Sequence, residues 1–314
     1  MKLKKILTVG FSNETLNKVY WKKLENLAEQ LIILPKDSPD FHKELSDTEC
    51  LLTKFVPVTK ADIEAAPNLK YIGALGTGYG SIDLEEAKKR GITVTNIPGY
   101  STESVAEFVF AIILDLLRQL EKGKNQTREK NYSEDGFKAR EIKGKVFGVL
   151  GLGRIGSRVA EISLGFGADV RYWSKNRKPD LEKTGVKYQE ADSLIKEADF
   201  ISLHFALTPE TEKFLNQARI NEIKTGAVVI NTAPMELVDL TALENRLKKN
   251  DLTFIFDHSD EMKQEDLDRL SRFENCIIYP PIAYVSEEAS KAKQEILIAN
   301  IEGFLIGKPS NEVV

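Results

Sequence analysis

Three glycines with a fixed spacing mark the stretch of this 314-residue sequence that could bind phosphate. Gly151, Gly153 and Gly156 form G-x-G-x-x-G, with an apolar run at 146–150 before them and a helical pattern from about Arg154. The first glycine permits a tight turn, the second admits a pyrophosphate, and the third lets helix and strand pack closely. Amides at the helix start then face the phosphates. The pattern predicts a dinucleotide-binding turn, and the alternative is a glycine-rich structural turn.

The end of the next strand decides which ribose such a turn accepts. An NAD site has Asp or Glu about 20 residues after the glycines, bonded to the ribose hydroxyls. Here Ser174 stands at that place, followed by Lys175, Arg177 and Lys178. The hydroxyl and the cations would bind a 2′-phosphate, and this place has no carboxylate that would repel the phosphate. The stretch favours NADP(H) over NAD(H), with a solvated basic loop as the alternative.

The strands and helices that must position these residues follow an α/β rhythm. Short β-branched or aromatic runs alternate with helical ones, first at 6–9, 30–34, 50–53, 71–75 and 93–95, then at 146–150, 170–173, 200–204, 228–231, 253–257 and 276–279. Strands joined by helical crossovers form parallel sheets. Two series of strands therefore predict two parallel sheets.

A long apolar helix follows the fifth predicted strand. Pro98 and Gly99 break the strand, Ser101 can cap the helix, and the helix is expected to run to about Lys122. Its apolar surface is larger than one small sheet would cover. We interpret it as a core helix between domains or as a homodimer surface, and both can hold.

A second break, at Pro280-Pro281, precedes a last helix that is capped near Ser286. Two breaks that bracket the middle of a chain are typical of an inserted domain. The prediction is a discontinuous first domain, residues 1–98 plus 286–314, around a dinucleotide-binding Rossmann domain, residues 99–285.

The bulk composition argues against several function classes. The net charge is −4 and the pI is near 5.7, which does not suit a nucleic-acid-binding surface. Cys50 and Cys276 form no spaced framework, so a reducing cytoplasm is expected. The most apolar helix, at 108–117, contains Asp115 and is too short to span a bilayer. No HExxH, clustered Cys/His or calcium-loop motif predicts a metal site. We therefore expect a soluble cytoplasmic protein with no nucleic-acid, membrane or metal partner.

Several motifs in order resemble the D-isomer-specific 2-hydroxyacid dehydrogenases. They lie between about Leu51 and Leu305 and read APNLKYIGALGTGYGSIDLEEAKKRGITVTNIPGYSTESVAE, GLGRIG, ADFISLHFALTPET, and GAVVINTA followed by LVD. The resemblance implies an α/β fold with two Rossmann-like, doubly wound parallel-sheet domains and a cleft between them. The first, flavodoxin-like domain would be the substrate domain, and the long helix would build a homodimer. The expected partner is a small molecule with a carbonyl or hydroxyl group.

The resemblance carries over to most cofactor-binding positions. From pyrophosphate to adenosine to nicotinamide, the implied residues are Arg154 and Ile155, then His204, Phe205 and Ala206, then Thr232, Ala233 and Asp257. Ala206 replaces the family's usual proline. In the substrate domain, Thr77-Gly78-Tyr79 matches the loop whose amides hold the substrate's acid group.

The residues that carry the family's chemistry are replaced. By resemblance, relatives use an arginine that clamps a 2-oxo acid, a histidine that supplies a proton and a glutamate that tunes the histidine. Those places hold Pro234, Pro281 and Met262, although Glu261 and Asp260 stand so close to Met262 that a small shift in alignment would put an acid at the glutamate position. General acid catalysis alone is worth on the order of 10² to 10⁴ in rate, and lysine cannot reproduce a bidentate clamp. We predict a protein that is not an ordinary 2-oxo acid reductase.

Three hypotheses follow. The first is an NADP(H) oxidoreductase with non-standard catalytic residues. The residues that could replace the family's catalytic groups are Lys54, Tyr79, Tyr100, His258 and Tyr284. The expected substrate pocket comprises Lys54, Tyr284 and the loop Thr77-Gly78-Tyr79. Each of these residues also has a purely structural explanation. The second is a non-catalytic NADP(H)-responsive regulator or scaffold, and the third is a drifted relative that binds nothing. The recognisable substrate loop favours the enzyme, because a cofactor sensor would not need it.

Overall fold

The computed structural model describes residues 2–35 and 37–314. The chain divides into two compact units: unit 1 comprises the residues up to Tyr100 together with Ser286–Val314, and unit 2 comprises Ser101–Val285. Each unit is built on one parallel sheet with a hydrophobic cluster on either face. The predicted fold class, α/β with two Rossmann-like domains, is confirmed.

Unit 1 carries a five-stranded sheet whose strands lie in the order β2-β1-β3-β4-β5. Its elements are β1 (Leu3–Val9), α1 (Lys18–Leu27), β2 (Ala28–Leu34), α2 (Phe41–Leu45), β3 (Cys50–Thr53), α3 (Lys60–Glu64), β4 (Tyr71–Ala74), α4 (Leu84–Lys89), β5 (Thr93–Thr95) and the last helix, α13 (Glu287–Leu305).

Both faces of the unit 1 sheet are covered. Ile6 of β1 belongs to the cluster that includes Leu297 of α13, whereas its neighbour Leu7 belongs to the cluster that includes Ile63 of α3 and Ala87 of α4. Parallel strands that are buried on both faces are apolar along their whole length. This is why these strands are continuous apolar runs in the sequence.

The strand order of the unit 1 sheet reverses between β1 and β3, although all of its strands are parallel. From β1 the chain adds β2 on one side, then crosses to add β3, β4 and β5 on the other. Gly10 follows β1 and Lys54 follows β3; Gly10 has φ +76°, and a Cβ there would lie 2.2 Å from the Lys54 carbonyl oxygen. Only glycine fits this approach. In open parallel sheets, ligands bind at such a switch point.

Unit 2 carries a seven-stranded sheet in the order β12-β11-β10-β9-β6-β7-β8. Its elements are α5 (Thr102–Arg118), α6 (Leu120–Arg128), β6 (Val146–Leu150), α7 (Arg154–Gly165), β7 (Asp169–Trp173), α8 (Pro179–Glu182), β8 (Lys187–Tyr188), α9 (Ala191–Glu197), β9 (Phe200–Leu203), α10 (Gln217–Glu222), β10 (Val228–Asn231), a 3-10 turn (Met235–Leu237), α11 (Leu240–Leu247), β11 (Thr253–Phe256), a 3-10 turn (Ser259–Glu261), α12 (Gln264–Leu270) and β12 (Cys276–Ile278). All eleven predicted strands are present, and the two-residue β8 is an addition. The switch point of this sheet lies between β6 and β9.

The long helix is shorter than predicted. α5 ends at Arg118, because Gln119 takes a left-handed conformation (φ 53°) and its amide donates to the carbonyls of Asp115 and Leu116. The next nine residues, α6, are polar and bury no side chain, so no apolar stripe holds them in line with α5. Ser101 stands at the start of α5, but its side chain makes no capping hydrogen bond. Ser286 caps α13 as predicted, accepting from the Ala289 amide at 3.0 Å.

In the part of the chain that is described, every helix is too short or too polar to cross a membrane. Cys50 and Cys276 are both buried and unpaired.

Candidate functional site

The turn after β6 lies at the switch point of unit 2. Gly151 has φ +98°, and a Cβ there would lie 2.8 Å from the carbonyl carbon of His204, which follows β9. The His204 amide donates to the Leu150 carbonyl at 2.7 Å, and the Gly151 amide donates to the Trp173 carbonyl at 2.8 Å. The ends of three neighbouring strands are thereby held together around one glycine. Any larger residue would push them apart.

The other two glycines of the motif differ in what surrounds them. A Cβ on Gly156 would lie 1.9 Å from the Gly151 carbonyl oxygen, so this glycine is required by packing. A Cβ on Gly153 would meet nothing within 4 Å. Gly153 precedes Arg154 and Ile155, the first residues of α7, whose amides have no partner within the helix. The open space over Gly153 and the start of a helix together form a cradle for an anion.

Beside this turn is a cavity of about 640 Å³. It is lined by the glycine turn, by the residues after β7 and by the residues after β9, including Trp173, Ser174, Lys175, Lys178, His204, Phe205, Ala206, Glu210, Phe214 and Arg219. Predicted residues from three distant parts of the chain are therefore brought to one place. Trp173, Phe214 and Arg219 were not among the residues expected to bind the cofactor.

Three aromatic rings form one wall of the cavity. The ring centroids of Trp173 and Phe214 lie 4.8 Å apart, and those of Phe205 and Phe214 also lie 4.8 Å apart. The Arg219 guanidinium stacks 4.0 Å from the Phe214 ring centroid, and its Nε pairs with Asp192 at 2.7 Å. Such a wall offers flat apolar surface to an aromatic base. Phe214 could not be found from sequence because it belongs to no strand-end motif.

The cations after β7 are divided between two roles. Lys175 and Lys178 line the cavity, whereas Arg177 is not one of the described residues that do. Its guanidinium forms two 2.7 Å hydrogen bonds to the Glu182 carboxylate, which lowers the pKa of Glu182 to about 2. Because the Arg177 guanidinium is already paired with Glu182, Arg177 is less available to a phosphate than Lys178, which lines the cavity.

The Ser174 hydroxyl donates to the Asn176 carbonyl at 2.6 Å and so shapes the loop after β7. No carboxylate stands at the end of that strand. The nearest acid in the cavity lining is Glu210, whose pKa is lowered by a hydrogen bond from Thr208 and, to a smaller extent, by Lys175. The cavity lining therefore carries two lysines, Arg219 and one acid.

His204 lines the cavity as a neutral ring. Its Nε2 lies 2.7 Å from the Ser202 hydroxyl, and burial lowers the pKa of His204 to about 3. An imidazole that stays neutral at physiological pH neither attracts phosphate nor supplies a proton. This agrees with a lining role rather than a catalytic one.

The turn after β10 explains how Pro234 and Met235 are accommodated. The Asn231 side chain accepts from the Ala233 amide at 3.1 Å and donates to the Pro234 carbonyl at 3.3 Å, and Met235 is 4% exposed within the apolar core of unit 2. The Thr232 hydroxyl is buried and has no hydrogen-bond partner among the described residues. Because buried hydroxyls nearly always have a partner, this hydroxyl is a candidate contact for a polar group of a bound ligand.

Asp257, after β11, holds the loop at 280–283 in place. Its Oδ1 accepts from the amides of Ile282 and Ala283 at 3.0 Å each. Asp257 is 2% exposed, and burial raises its pKa although both hydrogen bonds lower it. The predicted contact with a carboxamide would have to use the second oxygen, Oδ2, which lies 3.8 Å from His258 Nε2.

His258 is surrounded by carboxylates. Its Nδ1 lies 3.7 Å from Asp260 and 3.8 Å from Glu261. Glu261 also accepts from the Met235 amide at 3.4 Å, so this acid contacts the turn that contains Pro234 and Met235. Burial raises the pKa of Tyr284, and the charges of Asp260 and Asp257 raise it further. A group of three His, Cys, Asp or Glu residues suited to a metal ion is absent among the described residues.

The predicted substrate loop lies after β4, in unit 1. Thr77, Gly78 and Tyr79 are exposed, and a Cβ on Gly78 would meet nothing within 4 Å. The Thr77 hydroxyl donates to the Ile97 carbonyl at 3.2 Å, and the Asn96 side chain donates to the Thr77 carbonyl at 2.7 Å. The loop is therefore fixed at its start and open over its glycine. Lys54, half-buried, follows the neighbouring strand β3.

Comparisons with known proteins agree with this geometry. Residues 110–283 match the family model described as D-isomer specific 2-hydroxyacid dehydrogenase, NAD binding domain. The chain is 30% identical over 305 residues to a hydroxypyruvate reductase of Blautia hydrogenotrophica, covering 93% of this chain and 94% of the relative.

Among solved structures, the fold superposes with a TM-score of 0.86 on D-lactate dehydrogenase from Aquifex aeolicus complexed with NAD and lactic acid, which is 31% identical over 96% of both chains. It also superposes with a TM-score of 0.86 on an acyclic imino acid reductase in complex with NADPH and D-Arg, which is 28% identical and covers 98% of this chain and all of that one. The chain belongs to the D-isomer-specific 2-hydroxyacid dehydrogenase family of oxidoreductases.

Proposed function

We propose that the chain is an NADP(H)-dependent oxidoreductase that acts on a carbonyl or imine compound with residues other than the family's usual arginine, glutamate and histidine. The observation that carries this proposal is the cavity at the switch point of unit 2. There the open space over Gly153 lies beside Ser174, Lys175 and Lys178.

The residues present fit a dinucleotide at this site. The space over Gly153 admits a pyrophosphate, and the aromatic wall formed by Trp173, Phe205 and Phe214 suits an adenine base. The unpartnered Thr232 hydroxyl, farther along the carboxyl edge of the sheet, would find a partner in the nicotinamide half. When bound, the cofactor would supply the hydride.

The 2′-phosphate form of the cofactor is favoured by charge. A carboxylate at the end of β7 would bind the ribose hydroxyls of NAD and repel a phosphate, but Ser174 occupies that place. Lys175 and Lys178 supply two positive charges at the cavity edge. Of the two similar structures described above, one was solved with NAD and the imino acid reductase with NADPH.

Binding of the two cofactors can be compared through tryptophan fluorescence. The chain has two tryptophans, and in a Trp21→Phe background only Trp173, in the cavity, reports. NADPH is expected to bind about tenfold more tightly than NADH, because two charge-assisted contacts reach the phosphate. Ser174→Asp should reverse the preference, and Lys178→Met should weaken NADPH about tenfold while leaving NADH nearly unchanged.

Lys183→Met is the matched control for the lysine variant. Lys183 lies five residues further on, is 77% exposed and pairs with Asp180 outside the cavity, so NADPH affinity should not change. Equal or tighter binding of NADH by the unmodified protein would exclude the proposed preference.

Proton supply is assigned to the cluster after β11. The His258 ring is 23% exposed, lies within 3.8 Å of three carboxylates and is of a residue type that can donate a proton. NADPH consumption would be followed with oxo acids, aldehydes, ketones and imines formed from oxo acids and amines. His258→Asn should slow the reaction by roughly 10² or more with little change in NADPH affinity. If NADPH binds but no compound is reduced, the second function, a non-catalytic NADP(H)-responsive regulator or scaffold, replaces the first.

The proposal includes a homodimer in a reducing, cytoplasmic compartment. Leu120, the first residue of α6, is 56% exposed, and both cysteines are unpaired. Light scattering should give twice the chain mass of 35.3 kDa, and a monomer at micromolar concentration would contradict it.

A further inference from the structure

The loop after β7, residues 174–178, brings two lysines to the cavity of unit 2 and is held from the opposite side. Trp173, the last residue of β7, lines the cavity and packs against one core cluster, whereas its neighbour Tyr172 is 0% exposed and belongs to the other cluster. Successive side chains of a strand point to opposite faces of the sheet. Tyr172 therefore approaches the loop from the face that does not carry the aromatic wall.

The Tyr172 hydroxyl joins the end of this loop to the short helix that follows it. Its oxygen accepts from the Lys178 amide at 2.7 Å, and its proton is donated to the Glu182 carboxylate of α8 at 2.8 Å. A hydroxyl can make both bonds at once, because it has one donor and two acceptor positions. The backbone of Lys178, which lines the cavity, is thereby fixed by a side chain that is itself buried.

Glu182 also binds the side chain of Arg177. The Nε and Nη2 groups of Arg177 donate to the two carboxylate oxygens at 2.7 Å each, which is the two-bond geometry of a strong Arg–carboxylate pair. The Arg177 guanidinium lies 5.3 Å from the ring centroid of Tyr188, and the Tyr188 ring packs edge-on against Tyr172 with centroids 5.5 Å apart. Arg177 therefore belongs to the same cluster as Tyr172.

The first half of the loop is closed by Ser174, whose hydroxyl donates to the Asn176 carbonyl at 2.6 Å. Three consecutive residues, 176–178, are therefore each held by a different side chain. These bonds engage no lysine ammonium group, and both Lys175 and Lys178 line the cavity. The loop is thus fixed through its backbone and through one arginine, while its two lysines border the space for a ligand.

We propose that Tyr172 and Glu182 are positioning residues for the 2′-phosphate of the cofactor, and that Arg177 anchors the loop instead of binding the phosphate. The inference rests on the proposed function and assigns its cofactor preference partly to residues outside the described cavity lining. A loop that is already ordered loses less conformational freedom when its ligand binds. The anchor should therefore favour NADPH and hardly affect NADH, whose ribose lacks the phosphate that the two lysines would contact.

The sign of one effect distinguishes an anchor from a phosphate ligand. Glu182→Gln keeps the shape of the side chain and removes its charge, and NADPH and NADH would be titrated by Trp173 fluorescence in the Trp21→Phe background. If Arg177 anchors the loop, Glu182→Gln should weaken NADPH about fivefold. If Arg177 binds the phosphate, the released guanidinium should tighten NADPH instead. Arg177→Met should match Glu182→Gln, and the double variant should lose no more than either single one.

A second variant tests the loop without breaking the ion pair. Tyr172→Phe keeps the ring, removes the hydroxyl that binds the Lys178 amide and leaves Arg177 paired with Glu182. It should weaken NADPH about fivefold while NADH affinity stays within about twofold. Tyr188→Phe is the matched control, because the Tyr188 hydroxyl donates to the exposed Glu190 at 3.0 Å and does not contact the loop. Its affinity for NADPH should stay within about twofold of the original protein.

The outcomes separate the anchor from the proposed cofactor preference. Tighter NADPH binding by Glu182→Gln, or unchanged NADPH affinity in Tyr172→Phe, would overturn the anchor even where the unmodified protein prefers NADPH. A parallel loss of NADPH and NADH affinity would show that these residues only support the fold, and would overturn it as well. Equal or tighter binding of NADH by the unmodified protein would instead remove the proposed preference, and the anchor with it.

Discussion

Burial decides what His204 can do. The ring lies at the end of β9 with Ser202 as its partner, and its pKa is lowered to about 3 by loss of water. A histidine whose pKa is lower in the folded state stabilises the fold above its unfolded pKa, and that stability is lost as the pH falls. The relevant window runs from about pH 6.5 down towards 3.

His204 should therefore make the protein sensitive to mild acid. Lowering the pH from 7 to 5 is expected to reduce the free energy of unfolding by about 2 kcal/mol through His204. The measurement is urea unfolding of the original protein and of His204→Gln at both pH values, with the difference between the two proteins isolating this residue. An equal loss of stability in both proteins would show that His204 is charged or solvated in the folded state.

The element that joins β6 to α7 uses glycine for two separable reasons. At Gly156 a side chain would collide with the backbone of Gly151, 1.9 Å away, whereas at Gly153 a side chain would enter open space. One position is required by packing, and the other is left free for a ligand.

Two alanine substitutions in this turn should therefore affect different properties, one the stability of unit 2 and the other its affinity for NADPH. Gly156→Ala is expected to destabilise unit 2 by roughly 1–3 kcal/mol, as overpacking does. Gly153→Ala should cost less than about 1 kcal/mol, the range for a changed helix cap, yet weaken NADPH more than about tenfold by filling the cradle. Thermal unfolding and fluorescence titration of both variants provide the test. If Gly153→Ala bound NADPH normally, the space over this glycine would not be the pyrophosphate site.

At the scale of the whole molecule, unit 1 is completed by the last part of the chain. Asn300 of α13 is 1% exposed; its side chain donates to the Asn96 carbonyl at 2.9 Å and accepts from Ser310 at 3.0 Å and Asn311 at 2.8 Å. The Val313 amide also donates to the Val94 carbonyl at 2.8 Å. One buried amide therefore joins the edge of the sheet to a segment distant in sequence.

Removing that amide should affect one unit only. Asn300→Ala is expected to destabilise unit 1 by about 2–3 kcal/mol, because buried partners lose their hydrogen bonds. In a Trp173→Phe background, Trp21 in α1 is the remaining tryptophan and reports the unfolding of unit 1. NADPH affinity, proposed to reside in unit 2, should stay within about twofold when measured in the Trp21→Phe background. A parallel loss of both would show that the two units depend on each other.

The sequence by itself determined the fold class, all eleven predicted strands and the glycine turn. These follow from local chemistry, since apolar runs set strands, and glycine permits φ angles and close contacts that other residues do not. The sequence also places Pro234, Met262 and Pro281 where the family resemblance predicts arginine, glutamate and histidine.

Only the tertiary structure decided which polar groups meet. Glu182 holds Arg177 outside the cavity of unit 2, Phe214 joins the aromatic wall, and α13 places the Lys293 ammonium 5.4 Å from the Tyr100 ring centroid. It also ended α5 at Arg118, whereas the sequence pattern predicted a helix to about Lys122. Partners of this kind are chosen by packing between segments far apart in the chain, and a single sequence carries no local signal for such contacts.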